Sequence, residues 1–241
     1  TVEKAEQLLY HVGREEKFSL LLGLLKREGG TRILIFSNTR EGSRRLEDRL
    51  RRNGWEASAL TGDLDQKKRL RLLADFKEGR LPILVATDVA SRGLHIEGVS
   101  HVINWDLPQD PEDYVHRIGR TARMGAEGKA VSLVDEATAL MLEPIEKFIG
   151  QKIAVEWAAD ALFLPEIKPT AEERRRSAQE ERRRREARRR PGGERGGPPR
   201  SGPPRHQTHH APSTGSPPAG GRRRQDRGKG GGAPGPSAGP G

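Results

Sequence analysis

The chain has 241 residues, with 44 Lys+Arg against 34 Asp+Glu, and its lack of cysteine excludes disulfides and cysteine-based metal sites. Its charge is uneven: residues 166–241 hold 19 basic and 8 acidic side chains, a net of +11, which leaves 25 and 26 for residues 1–165. No apolar run approaches the ~18 residues of a membrane-spanning helix, so no membrane partner is expected and a cytoplasmic location is. A near-neutral body with a basic, apolar-poor arm points to a polyanion, nucleic acid first. The plain alternative is an arm that only solubilises. The chain opens Thr1-Val2-Glu3, without Met or a signal-peptide pattern, and reads as a fragment of a longer protein whose N-terminal portion is missing.

Along residues 1–165, short apolar runs alternate with amphipathic stretches. Strands are predicted at 32–36 (RILIF), 56–60 (EASAL), 83–86 (ILVA), 100–105 (SHVINW), 130–134 (AVSLV) and 152–157 (KIAVEW). Helices are predicted at Glu16 to Arg27, Arg40 to Arg52, Asp65 to Lys77, Pro111 to Arg117 and Glu136 to Phe148. This rhythm implies an α/β domain over residues 1–165, built on a mostly parallel sheet covered on both faces. Residues 166–190 form a charged segment able to be helical, and residues 191–241 a disordered Arg/Gly/Pro-rich tail.

Parallel sheets present ligands to the loops at their carboxyl ends. Polar clusters follow three of the predicted strands there: Ser37-Asn38-Thr39-Arg40, Thr61-Gly62-Asp63, and Thr87 through Gly93. Thr39, Gly62 and Thr87 offer hydroxyls and close backbone approach, which suit phosphate and ribose, and Arg69 opens the helix after the second cluster. Each has a structural alternative: Thr39 and Thr61 as helix or turn caps, Asp88 as a capping carboxylate, Lys67 and Lys68 as a solvated helix face. Further along, HRIGRTAR (116–123) spaces Arg117, Arg120 and Arg123 at three-residue steps, putting Arg120 and Arg123 within reach of one small anion. A triphosphate is the first candidate, yet no G-x-x-x-x-G-K-[ST] loop occurs in these residues.

Five ordered segments, ILIFSNT (33–39), LTGDLDQKKR (60–69), ATDVASRGLHI (86–96), NWDLP (104–108) and DYVHRIGRTAR (113–123), resemble the motifs of the second RecA-like domain of DEAD-box RNA helicases. The resemblance covers about residues 1–165 and implies a RecA-like, P-loop NTPase-type α/β fold that lacks its own P-loop. In that family ATP and Mg²⁺ are held mainly by the first RecA-like domain, here implied in cis outside this chain. The second domain supplies arginine fingers. Carried over, Arg120 and Arg123 contact the γ-phosphate and stabilise charge developing in phosphoryl transfer. His116, Arg117 and Asp88 couple closure between domains, Gly93 and His95 meet the nucleotide, and Thr39, Gly62, Arg69 and Thr87 meet the RNA backbone. The implied activity is ATP-gated closure on single-stranded RNA, which releases one strand of a short duplex without reading its sequence. By itself this chain is expected to hydrolyse no ATP.

Two departures stand out. His95 replaces an aspartate that contacts the ribose in the family, and an imidazole can still donate a hydrogen bond. Ala122 stands where the family has glycine. GLHI, QKKRLR and FIGQKIAVEWAADAL (148–162) also resemble the RhlB subgroup, helicases of proteobacterial RNA-degrading assemblies, which implies a partner such as an endoribonuclease scaffold. VSLVDEAT (131–138) imitates a strand ending in an Asp-Glu metal motif, but no phosphate loop precedes it, and Asp135 reads as a cap. No metal site is expected, His209-His210 being too isolated. The rival reading of the whole chain is a non-catalytic RNA-binding or scaffold module acting through the basic tail.

Overall fold

The computed structural model describes residues 5–29, 32–92, 94, 96, 98–121 and 128–189, with the side chains of 177, 180, 181 and 184–189 excepted. Seven parallel strands form one sheet in the order β3-β4-β2-β5-β6-β1-β7. They are β1 (Ala5–His11), β2 (Ile33–Phe36), β3 (Ala57–Leu60), β4 (Ile83–Ala86), β5 (His101–Asn104), β6 (Gly128–Val134) and β7 (Ala154–Val155). The helices are α1 (Lys17–Glu28), α2 (Arg40–Arg52), α3 (Gln66–Lys77), α4 (Asp88–Ser91), α5 (Pro111–Ile118), α6 (Leu142–Ile149) and α7 (Ala171–Arg189).

Strand alternation divides the core. Ile33 and Ile35 face a cluster with Phe18, Leu21, Leu25, Leu46 and Leu50, under α1 and α2. Leu34 and Phe36 face the opposite way, onto Leu60, Phe76 and Leu84. A third cluster, Leu9, Tyr114, Ile118 and Ile145, seats α5 and α6. Each fully buried leucine of this kind contributes about 1.5–3 kcal/mol by leaving water.

Besides α4, a short helix in the polar segment after β4 that the pattern did not predict, three elements differ from the sequence-based expectation. β1 has no counterpart among the predicted strands, because Ala-Glu-Gln-Leu-Leu has the composition of a helix. Pairing along all seven residues with β6, from Ala5 with Gly128 to His11 with Val134, overrides that propensity. The helix predicted from Glu136 begins instead as a short 3₁₀ turn at Ala139–Met141 and becomes α-helical at Leu142. Asp135 ties residues 135–138 into a turn, and Pro144, lacking an N–H, fits only in the first turn of α6. β7 is two residues rather than six.

Residues 156–167 run back across α1 and α2. The Leu162 carbonyl lies where a Cβ on Gly23 would be, 1.7 Å away, so only glycine admits this crossing. The Leu164 N–H donates to the Ser19 carbonyl at 3.1 Å, and Arg49 grips Glu166 with two bonds of 2.8 and 2.7 Å. The Ile167 N–H donates to Asn53 Oδ1 at 2.7 Å. Contacts with the domain thus continue past residue 165. α7 then starts on a reciprocal cap: the Thr170 N–H donates to Glu173 Oε2 at 2.7 Å and the Glu173 N–H to Thr170 Oγ1 at 3.2 Å. Among the described residues no helix is long and apolar enough to cross a membrane.

Candidate nucleotide and nucleic-acid face

β2, β4 and β5 end in register, with Phe36 opposite both Ala86 and Asn104, so the segments after them share one edge of the sheet. Arg117, on the last turn of α5, ties them together. Its guanidinium is 1% exposed and grips both Asp88 oxygens at 2.7 Å. It also donates to the Asp106 carbonyl at 2.6 Å, to Asn38 Oδ1 at 2.9 Å and to Asn104 Oδ1 at 3.3 Å, and lies 5.0 Å from the Phe36 ring centre. Such a planar fork meets several acceptors at once where a lysine could not.

A second buried cation continues the network. Lys17, first residue of α1 and 1% exposed, donates to Asp135 Oδ2 at 2.8 Å and stands 3.8 Å from Asp106 Oδ1. Asp106 in turn accepts from Ser37 Oγ at 2.9 Å and the Asn38 N–H at 3.0 Å. Burial pushes the Asp135 carboxyl up, but its bond to Lys17, the lysine's charge and the Thr138 hydrogen bonds together hold it below the usual carboxylate range. Four strand ends, those of β2, β4, β5 and β6, are therefore pinned by two buried cations. Lys17 and Asn104 were missed in the sequence; the legible signal was a lysine opening the otherwise leucine-rich face of α1.

Beside this network lies a cavity of about 150 Å³ lined by Phe36, Asp88, Ser91, Arg92, Asp113, His116, Arg117 and Arg120. Arg120 is half-buried and donates to the Leu94 carbonyl at 3.1 Å. His116 is exposed, with Nδ1 3.8 Å from Asp113, which also accepts from Arg92 at 2.7 Å. That bond and the Asp113 charge raise the Arg92 pKa further. The structure therefore separates residues read together from HRIGR. All three border the cavity, but Arg117 is buried with its guanidinium turned inward, whereas His116 is exposed and Arg120 half-buried. Arg123, Gly93 and His95 lie outside the described residues.

The residues expected to meet RNA share the strand-end edge. Thr39 caps α2, accepting the Gly42 N–H at 2.9 Å, and Thr87 caps α4, accepting the Ala90 N–H at 3.3 Å. The capping alternative is thus real for Thr39, and Thr87 caps a helix that the sequence pattern did not assign to it, yet a hydroxyl that accepts a cap bond still carries a donor hydrogen. Thr39 is exposed and Thr87 is 6% exposed. Gly62 is exposed, and a Cβ there would meet nothing within 4 Å. Its neighbour Asp63 accepts from Thr61 at 2.7 Å and pairs with Arg44, and both contacts lower its pKa. Arg69 Nε is buried with no hydrogen-bond partner. Lys67 and Lys68 are exposed, as a solvated face would be. Asp135 follows β6 and caps a turn. Among the described residues no three His, Asp or Glu side chains are grouped to hold a metal.

Residues 16–125 match the family of the helicase conserved C-terminal domain. The fold matches a crystal structure of the E. coli DEAD-box protein SrmB with a TM-score of 0.63 at 39% identity, over 69% of this chain and 98% of that one. The chain belongs to the DEAD-box family. It is also similar to the ATP-dependent RNA helicase RhlB of Xanthomonas axonopodis, 52% identical over 165 residues. That alignment takes in 68% of this chain and 29% of the relative, so the chain spans under a third of that protein's length. The S. cerevisiae protein Dbp5 bound to RNA and ADP BeF3 matches with a TM-score of 0.60 at 37% identity, over 66% of this chain and 42% of that one.

Proposed function

We propose that this chain is the second RecA-like half of an ATP-dependent RNA helicase: it closes over ATP held by a partner domain and grips the RNA backbone. The observation that carries the reading is the pairing of a half-buried Arg120 with the 150 Å³ cavity at the strand-end edge, in residues that contain no phosphate-cradling loop. An arginine held there through the Leu94 carbonyl is preorganised to meet phosphate charge delivered from outside. Arg123 acts with it on the γ-phosphate. Gly93 and His95 meet the nucleotide, and Mg²⁺ comes with ATP on the partner domain.

Thr39, Gly62, Arg69 and Thr87 grip the RNA. The unpartnered Arg69 Nε supports this, since a buried donor without an acceptor costs about 1–3 kcal/mol until something supplies one. His116 couples closure directly from its exposed position. Arg117 acts through Asp88 and Asn38, whose positions it fixes. The resemblance to the RhlB subgroup carries the further reading of a role in RNA degradation in the cytoplasm, beside an endoribonuclease scaffold, and the complex of SrmB with regulator of ribonuclease activity A supports it.

The test is Arg120→Ala in the intact two-domain protein. RNA-stimulated ATP hydrolysis should fall by roughly 10³ or more, the scale of an arginine finger, while RNA binding without nucleotide changes little. Near-normal turnover would overturn the assignment.

A further inference from the structure

α2 departs from the charge of the body that contains it. Residues 1–165 are close to neutral, yet α2 carries six arginines against Glu41, Glu47 and Asp48. At 3.6 residues per turn, Arg40, Arg44 and Arg51 fall within about 40° of one another, a line along one flank of the helix. That flank borders a groove of about 280 Å³ at the open edge of β3, whose opposite bank on α3 contributes Lys68 and Arg71. Glu47 and Asp75 share the groove, but Glu47 turns inward to accept the Ala59 N–H. Arg44, Arg51, Lys68 and Arg71 each have a carboxylate near them, at the surface: Arg51 stands 3.9 Å from Glu47, Arg71 3.9 Å from Asp75 and Lys68 3.5 Å from Asp65, and Arg44 pairs with Asp63. Pairs of this kind contribute about 0–1 kcal/mol, so a phosphate can replace the carboxylate at little cost.

The two ends of α2 give the flank its meaning. At one end is Thr39, the N-cap and a proposed RNA-backbone contact. At the other, Arg49 and Asn53 hold Glu166 and Ile167, so the basic tail leaves the domain there and α7 begins four residues later. Arg174 and Arg175, in its first turns, are exposed.

We propose that this flank of α2, with the adjoining groove, is a track for the phosphate backbone of single-stranded RNA, running from the strand-end edge to the basic tail. A 13-residue helix spans about 20 Å, room for several phosphates, so RNA captured by the tail and RNA gripped at Thr39 can be one continuous strand. The inference rests on the RNA-binding reading and deepens it.

The experiment uses the full 241-residue chain and two oligouridylates: one long enough only for the strand-end edge, one long enough to reach the tail. Binding is followed across salt for wild type and for the triple variant Arg40→Gln, Arg51→Gln, Arg71→Gln; glutamine keeps the helix propensity. On the long oligomer the slope of log affinity against log salt should fall by about 2, from roughly 0.7 per lost phosphate contact, and on the short one it should barely change. An unchanged slope on the long oligomer overturns the track and leaves the RNA reading standing. So does an equal loss from Arg45→Gln, on the other flank. If wild type binds neither oligomer, the RNA reading itself falls and the track with it. Displacement of RNA from the groove by a peptide, with the triple variant binding RNA normally, would mark a protein-docking surface instead and also overturn the proposal.

Discussion

Arg117 and the arginines of α2 show two opposite uses of one side chain. Arg117 is 1% exposed, meets five acceptor atoms from Asn38, Asp88, Asn104 and Asp106, and has one possible position. Arg45 and Arg51 have side chains 70 and 66% exposed, each with one carboxylate at an i,i+4 spacing, and many possible positions. In the buried region the energy lies in geometry, and loss of one partner strands the others in low dielectric. On the exposed face it lies in charge density, which salt screens and neighbours replace. On the proposed function, a strand-end edge that meets a nucleotide and RNA at fixed distances needs the first kind; a polyanion path needs only the second.

The largest effect that separates the two is Arg117→Ala. It should lower the unfolding free energy by about 3–5 kcal/mol, the cost of breaking a buried ion pair, whereas Arg45→Ala should stay within about 0.5 kcal/mol. Urea denaturation of both variants checks this, and equal losses would dissolve the distinction.

Lys17→Met sharpens it through pH, with an expected loss of about 3 kcal/mol at neutral pH. In the native chain the Asp135 pKa is depressed, so its contribution is present above the ordinary aspartate value of about 4 and is lost as pH falls through the folded value. Without the lysine's bond and charge, burial is opposed only by the hydrogen bonds from Thr138 and the Ala137 N–H, so the Asp135 pKa rises. Its contribution at neutral pH then shrinks, and with it the stability that acidification removes. The gap between variant and wild type should therefore be widest near neutrality and close below pH ~4. A gap independent of pH would show that Lys17 acts only by packing against Trp105, 4.9 Å away.

The smallest expected effect falls between the two regions. Thr39→Ala removes the cap of α2 and should cost about 1 kcal/mol. Thr39→Ser keeps the cap and the donor hydrogen, so it should retain both stability and RNA affinity. If Thr39→Ser binds RNA as weakly as Thr39→Ala, the threonine methyl rather than the hydroxyl is what RNA meets.

Much of the strand-end edge was legible because its residues come after apolar runs at a fixed offset. Thr39, Thr61 and Thr87 each stand shortly after a strand of four residues, and parallel pairing in register must then bring them to one edge. The helix over 40–52 was legible to the residue, since Leu46 and Leu50 with Ser43 make one buried face among charges. Less was legible where long-range pairing decides. β1 looks helical until β6 lies beside it. The last contacts of the domain, at Glu166 and Ile167, sit in a segment whose composition already belongs to the tail.

The sequence by itself determined the alternation of elements, the parallel sheet, the edge on which chemistry gathers and the family, because periodicity and motif order are local and one-dimensional. It could not determine which of Arg117 and Arg120 turns inward. Spacing puts Arg117 and Arg120 on neighbouring turns with the same chemistry. Only the convergence of Asp88, Asn38, Asn104 and Asp106, up to 79 residues away in the chain, creates a site that takes one guanidinium out of water and leaves the other beside the cavity. A buried charge is stable only where enough partners meet it, and partners that distant are brought together by the folded sheet alone.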